Sequence, residues 1–243
     1  MGPAAHRAFV LATCTGVTFL YAMSVTVANV SLPQIQGALS ATQDQIAWVV
    51  TSNIVATAVM TPLAGWLAAR FGWRRLCLGC VAGFAAASAA CGMAGSLESL
   101  VAWRALQGAF GAPLVPVSQA IVLESYPKER HGAVIAIFGM GSVIGPIVGP
   151  VLGGALSEAY DWRWVFYMMV PFSVLALAGV WLTIRDRQAP SAVRLDWTGF
   201  LTLSVALASL QLMLDRGERA DWFDSAEIVA WASLAALGLY LFI

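Results

Sequence analysis

The sequence predicts an all-α membrane protein, a polytopic bundle of transmembrane helices, and two observations support this. The 243 residues are 60% hydrophobic and only 11% charged, whereas a soluble domain is roughly 25% charged. Eight long apolar runs also follow one another along the chain. A bilayer core of about 30 Å needs roughly 20 helical residues to cross it. Runs of this length fit helices rather than the short alternating strands of a membrane barrel.

Short polar segments separate the apolar runs. In chain order the runs are Phe9–Val30, Ile46–Ala69, Leu76–Leu97, Ser99–Leu123, Gly132–Ser157, Trp164–Ile184, Trp197–Leu214 and Ile228–Ile243. The fourth run contains one charge, Arg104, and the last run is still apolar where the sequence stops. We therefore expect seven full spans followed by an incomplete eighth span.

The basic residues between the runs predict an orientation. If the N-terminus is cytoplasmic and the spans alternate, nine basic residues face inward and three face outward. The inner set is Arg7, Arg70, Arg74, Arg75, Lys128, Arg130, Arg185, Arg187 and Arg194, and the outer set is Arg163, Arg216 and Arg219. An excess of Lys and Arg in cytoplasmic loops is the usual bias of membrane proteins. Basic residues spread over several loops do not form a nucleic-acid-binding face.

A weak internal repeat links the second and fifth spans. Residues Gly65–Arg74 match Gly154–Arg163 at an offset of 89 residues, with four identical positions. This offset covers three spans, so the two copies end on opposite sides of the membrane. Inverted repeats of three helices are typical of transporters.

The fourth span carries the most unusual residue of the chain. Arg104, Gln107, Gly108 and Gly111 share one helical face. A charge within a span is costly, so we expect Arg104 to face a partner or a wet cavity. The alternative is that Arg104 lies near the end of the span and extends outward to the membrane surface.

The segment 141-GSVIGPIVGPVLGG-154 is apolar but rich in glycine and proline. Gly145, Gly149 and Gly153 repeat every four residues and predict a smooth stripe that another helix approaches closely. Pro146 and Pro150 each remove a backbone donor and predict a bend. The segment is interpreted as a pivot between helix bundles, with plain helix packing as the alternative. A dinucleotide-binding glycine pattern is a remote third interpretation.

Few residues suit metal, cofactor or enzyme chemistry. Cys77 and Cys80 have a CxxC spacing, but both lie in a predicted span without a second pair, which favours apolar packing. His6 and His131 lie at predicted span ends. We therefore expect no metal site and no cofactor. A polytopic membrane enzyme remains as an alternative from another functional class.

Five motifs occur in the order of a known family. They are Met23–Pro33 in the first span, Gly65–Arg75 in the following loop, Leu100–Ala112 in the fourth span, Gly145–Gly154 in the fifth, and residues 211–228 between the seventh and eighth. Together they resemble the major facilitator superfamily, in particular its fourteen-span drug:proton antiporters of the EmrB/QacA type. The fifth-span motif resembles the one that marks proton-coupled antiporters.

The resemblance implies an architecture and a function. Residues 1–184 are expected to form an N-terminal six-span bundle built as a 3+3 inverted repeat. Residues 185–243 are expected to form an inner loop and two linking spans, with the C-terminal bundle absent. The implied function is export of lipophilic toxic compounds from the inner membrane by proton antiport through alternating access. Implied partners are the lipid bilayer, a periplasmic adaptor and an outer-membrane channel. A truncated, non-transporting membrane fragment remains the alternative.

The resemblance also assigns site residues. Arg104, Gln107 and Ser24 are implied in translocation and proton coupling, although the family usually has an aspartate where Ser24 stands. Substrate-cavity residues are expected at Asn29, Asn53 and Gln119. The inner gate loop comprises Gly65, Arg70, Gly72, Arg74 and Arg75, with Ala69 where the family often has an acid. The antiporter motif comprises Gly145, Pro146, Gly149, Pro150, Gly153 and Gly154.

Overall fold

The structure is a computed structural model that describes residues 2–185 and 194–243. All regular elements in this part of the chain are helical, which confirms the predicted all-α class. The α-helices are α1 (Pro3–Ala38), α2 (Gln43–Met60), α3 (Leu63–Phe71), α4 (Trp73–Gly92), α5 (Leu97–Gly111), α6 (Leu114–Ser125), α7 (His131–Ala159), α8 (Trp164–Tyr167), α9 (Met169–Thr183), α10 (Trp197–Arg216) and α11 (Ala226–Phe242). Arg187 and the rest of the predicted inner loop at 186–193 lie outside the described residues.

The eight predicted runs all lie on helices or pairs of helices. Within the described ranges, six helical stretches are long and apolar enough to cross a membrane. The pair α2–α3, bent by 60°, brings the total to seven. The last apolar helix, α11, is shorter, with 17 residues. These helices confirm the prediction of a multi-pass membrane protein.

Prolines interrupt two of the spans. Pro62 separates α2 from α3, and Pro113 separates α5 from α6. A proline has no N–H to bond with the carbonyl four residues earlier, so a helix changes direction most easily at such a position. By contrast, Pro146 and Pro150 lie inside α7, which continues through both of them.

Polar side chains cap the starts of three spans. Thr42 caps α2 and Ser96 caps α5, each as part of a capping box. Asp196 precedes α10, and its carboxylate accepts hydrogen bonds from the Gly199 N–H at 3.0 Å and the Thr198 hydroxyl at 2.7 Å. These hydrogen bonds lower the pKa of Asp196 below its usual value. Because the first N–H groups of a helix lack backbone partners, such caps determine where each span begins.

The central helix of the bundle is α1, which packs against α6, α7 and α9. Three further pairs complete the bundle: α2 with α5, α4 with α5 and α4 with α9. The largest core cluster joins residues of α1, α3, α4, α6, α7 and α9. Beyond the bundle, α10 packs against α11 and against α2. The division into a bundle at 1–184 and linking spans at 185–243 stays a prediction.

Candidate functional site

Arg104 lies inside the bundle and is only 1% exposed. Its Nε–H donates to the Val49 carbonyl of α2 at 3.0 Å, and its Nη1–H donates to the Gln107 side-chain carbonyl. The Phe166 ring lies beside the guanidinium, with its centroid 5.9 Å from Cζ. The alternative in which Arg104 extends to the membrane surface is therefore wrong, because its side chain is buried and two of its donors are bound within the protein.

The hydrogen-bond chain continues from Arg104 to α4. The Gln107 side-chain amide donates to the Ser88 hydroxyl at 2.7 Å, and Ser88 in turn donates to the Phe84 carbonyl at 2.7 Å. The four side chains Arg104, Gln107, Ser88 and Asn53, with their bonded carbonyls, are called the Arg104 network below. The network joins α2, α4 and α5 in the interior of the bundle.

The Arg104 network holds a positive charge without an acid. The ion pairs between described residues are Arg163–Asp161 and Arg216–Glu227, so no described carboxylate pairs with Arg104. A buried charge normally has an ionic partner, because moving it out of water costs several kcal/mol. Here neutral carbonyl and amide dipoles surround the guanidinium.

Three side chains of α2 bind backbone carbonyls of α5. Ser52 donates to Val101 at 3.2 Å, and Asn53 donates to Arg104 at 3.0 Å. Thr57 donates to Gly108 at 3.3 Å. A Cβ at Gly108 would collide with the Asn53 carbonyl, so the two helices are in backbone contact there. The Arg104 network is therefore held by a close seam between α2 and α5.

The structure brings together some of the predicted site residues and separates others. Asn53, expected in the substrate cavity, is 2% exposed and belongs to the seam. Asn29 and Gln119 are exposed, and their place in a substrate cavity stays a prediction. Ser24 is buried and donates to the Tyr21 carbonyl at 2.7 Å. No hydrogen bond in the described part of the chain links Ser24 to Arg104 directly.

Sequence reasoning missed two members of the site region. Ser88 is the only hydroxyl side chain in α4, and an isolated serine in an alanine-rich span was a usable signal. Tyr21 donates to the Thr57 hydroxyl at 3.2 Å and thereby connects α1 to the seam. Nothing in the local sequence around Tyr21 indicates this contact, because the two residues are distant along the chain.

The loop motif lies where α3 meets α4. Gly72 joins the two helices with φ 83° and ψ 153°, a conformation that is essentially restricted to glycine. Arg74 donates to the Trp181 carbonyl at 3.0 Å, and its guanidinium lies 4.6 Å from the Trp181 ring centroid. Arg70 and Arg75 are exposed. Arg74 thus binds the end of α9, whereas Arg70 and Arg75 have exposed side chains.

We expect Gly72→Ala to destabilise the protein by about 1–3 kcal/mol, because an alanine would be strained at this φ and ψ. Gly65→Ala is the matched control from the same motif, since nothing lies within 4 Å of a Cβ at that position. Thermal unfolding of the two purified variants in detergent measures the difference. Equal melting temperatures would show that the joint between α3 and α4 relaxes without cost.

The glycine stripe of α7 packs on α1. A Cβ at Gly145 would lie 2.8 Å from the Met23 nitrogen, and one at Gly149 would lie 2.7 Å from the Thr26 hydroxyl oxygen. At Gly153 it would lie 2.6 Å from a methyl carbon of Val27. These distances are too short for a side chain. The stripe therefore allows α1 and α7 to approach as closely as their backbones permit.

The interpretation of the stripe as a pivot between bundles stays a prediction. Among the described residues, the backbone that meets Gly145, Gly149 and Gly153 is that of α1. Gly154 lies beside the stripe, where a Cβ would make an ordinary 3.6 Å contact with Val30. The opposite side of α7 carries branched side chains that are exposed, including Val143, Ile147 and Val151.

Comparison with known proteins identifies the family. The model of the Major Facilitator Superfamily matches residues 14–243. The chain belongs to the Major Facilitator Superfamily. Because this is a family of transporters, the alternative of a membrane enzyme is set aside.

Two relatives in the Major Facilitator Superfamily show strong similarity. The Multidrug export protein EmrB of Escherichia coli (strain K12) is 39% identical over 223 residues, which are 91% of this chain and 44% of that protein. The Fatty acid resistance protein FarB of Neisseria gonorrhoeae is 38% identical over 226 residues, which are 93% of this chain and 45% of that protein. The chain thus spans less than half the length of these relatives, and it matches their N-terminal part.

A solved structure shows the same superfamily fold. The proton:xylose symporter XylE superposes with a TM-score of 0.70 at 11% identity, covering 99% of this chain and 53% of that one. At this level of identity the likeness concerns the fold alone. It agrees with the assignment of the described helices to a Major Facilitator Superfamily bundle.

Proposed function

We propose that the full-length protein is a multidrug exporter of the inner membrane that exchanges lipophilic toxic compounds for protons by alternating access. The similarity to EmrB and FarB over 91% and 93% of the chain carries this proposal. One of these relatives is named for multidrug export and the other for fatty acid resistance. The shared property of such compounds is a large apolar surface, so we propose lipophilic substrates.

The Arg104 network is the proposed centre of proton coupling. Its guanidinium is buried and has no carboxylate partner in the described ranges. Ser24 stands where related antiporters usually have an acid, so a protonated group must come from elsewhere in the full-length protein or from the substrate. We propose that Arg104 and Gln107 respond to that group through the seam with α2.

The proposed substrate cavity includes Asn29 and Gln119. Both are exposed polar side chains on otherwise apolar helices, α1 and α6. Such isolated polar groups orient a lipophilic ligand without removing the apolar character of its site. Asn53 contacts substrate only if the seam between α2 and α5 opens, since its amide is bonded to the Arg104 carbonyl.

A 3+3 inverted repeat is proposed within residues 1–184. The helix pairing supports it. Spans one and five pack together through α1 and α7, spans two and four through α2 and α5, and spans three and six through α4 and α9. Exchanging spans one, two and three with four, five and six leaves this set of pairs unchanged. A pseudo-symmetric unit of this kind suits a protein that alternates between two related arrangements.

The proposed location is the inner membrane with a cytoplasmic N-terminus, supported by nine basic residues on one side against three on the other. A periplasmic adaptor and an outer-membrane channel are proposed partners, by analogy with related systems. Labelling of single cysteines in intact cells tests the orientation. An impermeant reagent is expected to label a cysteine at position 44 but not one at position 128. The reverse result would show that the protein has the opposite orientation.

Export is tested with the full-length protein in an efflux-deficient bacterial strain. We expect greater resistance to a lipophilic weak acid, a lipophilic cation and a long-chain fatty acid, or to a subset of them. In everted vesicles, addition of such a compound should dissipate a preformed pH gradient. Vesicles without the protein provide the control, and no resistance together with no proton movement would refute the proposal.

A further inference from the structure

The sequence motif at residues 211–228 forms the connection between α10 and α11. These two helices and their connection, residues 197–242, are called the linking hairpin. Resemblance to related exporters gives the motif no role. In the structure α10 packs against α2, and Asp215, Arg216 and Arg219 line a cavity with the N-terminal half of that helix.

Asp215 makes the first contact between the linking hairpin and α2. The Thr51 hydroxyl donates to the Asp215 carboxylate and also lies 3.1 Å from the Ala47 carbonyl. Thr51 is only 3% exposed, so little water competes for its hydroxyl. Hydrogen bonds to a charged acceptor are stronger and more directional than those between neutral groups.

Arg216 makes the second contact and joins three helices. Its Nε lies 2.7 Å from a carboxylate oxygen of Glu227 on α11. Its guanidinium carbon lies 5.4 Å from the ring centroid of Trp48 on α2. The same side chain therefore holds the two helices of the linking hairpin together and packs on α2.

The connection itself has a defined shape. The Trp222 N–H donates to the Gly217 carbonyl at 2.8 Å, and the Trp222 ring occupies the space where a Cβ at position 217 would be. Asp221 and Trp222 have φ values of 54° and 53°. A left-handed conformation is costly for a bulky residue and persists only where the surroundings impose it. The connection is therefore a structured turn rather than a flexible linker.

We propose that the linking hairpin is fixed to α2 and moves with the first bundle during the transport cycle, with Asp215 and Arg216 as positioning residues. Alternating access requires two bundles to move against each other, and a hairpin between them must follow one of the two. The contacts with Thr51 and Trp48 assign it to the first bundle. The inference rests on the proposed function, because it concerns motion during transport.

Crosslinking in the full-length protein tests the proposal. Cys14, Cys77, Cys80 and Cys91 are replaced by alanine, and Thr51→Cys with Asp215→Cys are then joined by a short, reducible bifunctional thiol reagent. The crosslinked protein is expected to transport at the initial rate of the cysteine-free parent. If the two cysteine substitutions by themselves lower that rate, crosslinking is expected to restore it. A rate that falls on linking and recovers on reduction would overturn the proposal, because it would show that α2 and α10 must separate.

A control pair and a second measurement complete the test. Ser31→Cys with Ser157→Cys links two hydroxyl positions 2.7 Å apart inside the first bundle, and linking there should leave transport unchanged. Spin labels at Asp44→Cys and Arg219→Cys, which line a cavity of 150 Å³ between α2 and the turn, report the distance directly. The distance between the two labels is expected to be the same with and without a pH gradient. A different distance under the two conditions would refute the inference. Absence of transport in the unmodified protein would instead refute the proposed function.

Discussion

Arg104→Ala in the full-length protein is expected to abolish drug-driven proton exchange while the protein still inserts into the membrane. The change removes the donors that bind the Val49 carbonyl and the Gln107 side chain. Each buried polar group left without a partner costs about 1–3 kcal/mol. It also removes the one charge at the centre of the network. Proton flux in reconstituted vesicles measures the loss, and a melting curve in detergent measures the accompanying destabilisation.

Two further variants separate the geometry of Arg104 from its charge. Arg104→Lys keeps the charge but should also transport poorly, because a single ammonium group cannot replace the planar fork that reaches Val49 and Gln107 together. Leu106→Ala is the matched control on α5, since Leu106 is 44% exposed and lies outside the network. Normal proton flux in Arg104→Ala would show that the network only packs helices.

Gly149→Leu is expected to stop export by forcing α1 and α7 apart. A Cβ at Gly149 would already lie 2.7 Å from the Thr26 hydroxyl oxygen and 2.9 Å from the Met23 carbonyl oxygen. Overpacking of this kind typically costs about 1–3 kcal/mol. Since transport needs two arrangements of similar energy, a bias of that size shifts their ratio by roughly tenfold or more. Drug resistance of cells that express the full-length variant is the measurement.

A pair of alanine variants on α7 provides the control for this prediction. Gly149→Ala places its Cβ against α1, whereas Gly154→Ala makes an ordinary contact with Val30 at 3.6 Å. We expect the first to lower both stability and resistance, and the second to resemble the parent. Pro150→Ala should remain folded, because alanine restores a helix donor. Near-normal resistance in Gly149→Leu would mean that the helices separate easily and that the stripe is not required.

The sequence by itself determined the helical class, the number of spans and their order. These follow from the length and spacing of the apolar runs, because a backbone in lipid must satisfy its own hydrogen bonds within each segment. The local sequence also accounts for the helix start after Thr42, whereas a proline alone did not determine the breaks at Pro62 and Pro113, because α7 continues through Pro146 and Pro150. The face shared by Arg104 and Gln107 was predictable for the same reason, since helical periodicity places residues three apart on one side.

Only the tertiary structure decided which groups meet. Helical spacing predicted a smooth stripe through Gly149, but not that α1 fills it. Composition did not distinguish Asn53, buried in the seam, from the exposed Asn29. Nor did the loop motif indicate that Arg74 binds the end of α9. In each case the partner comes from a distant part of the chain. Its identity depends on how the helices pack, which no local pattern of the sequence contains.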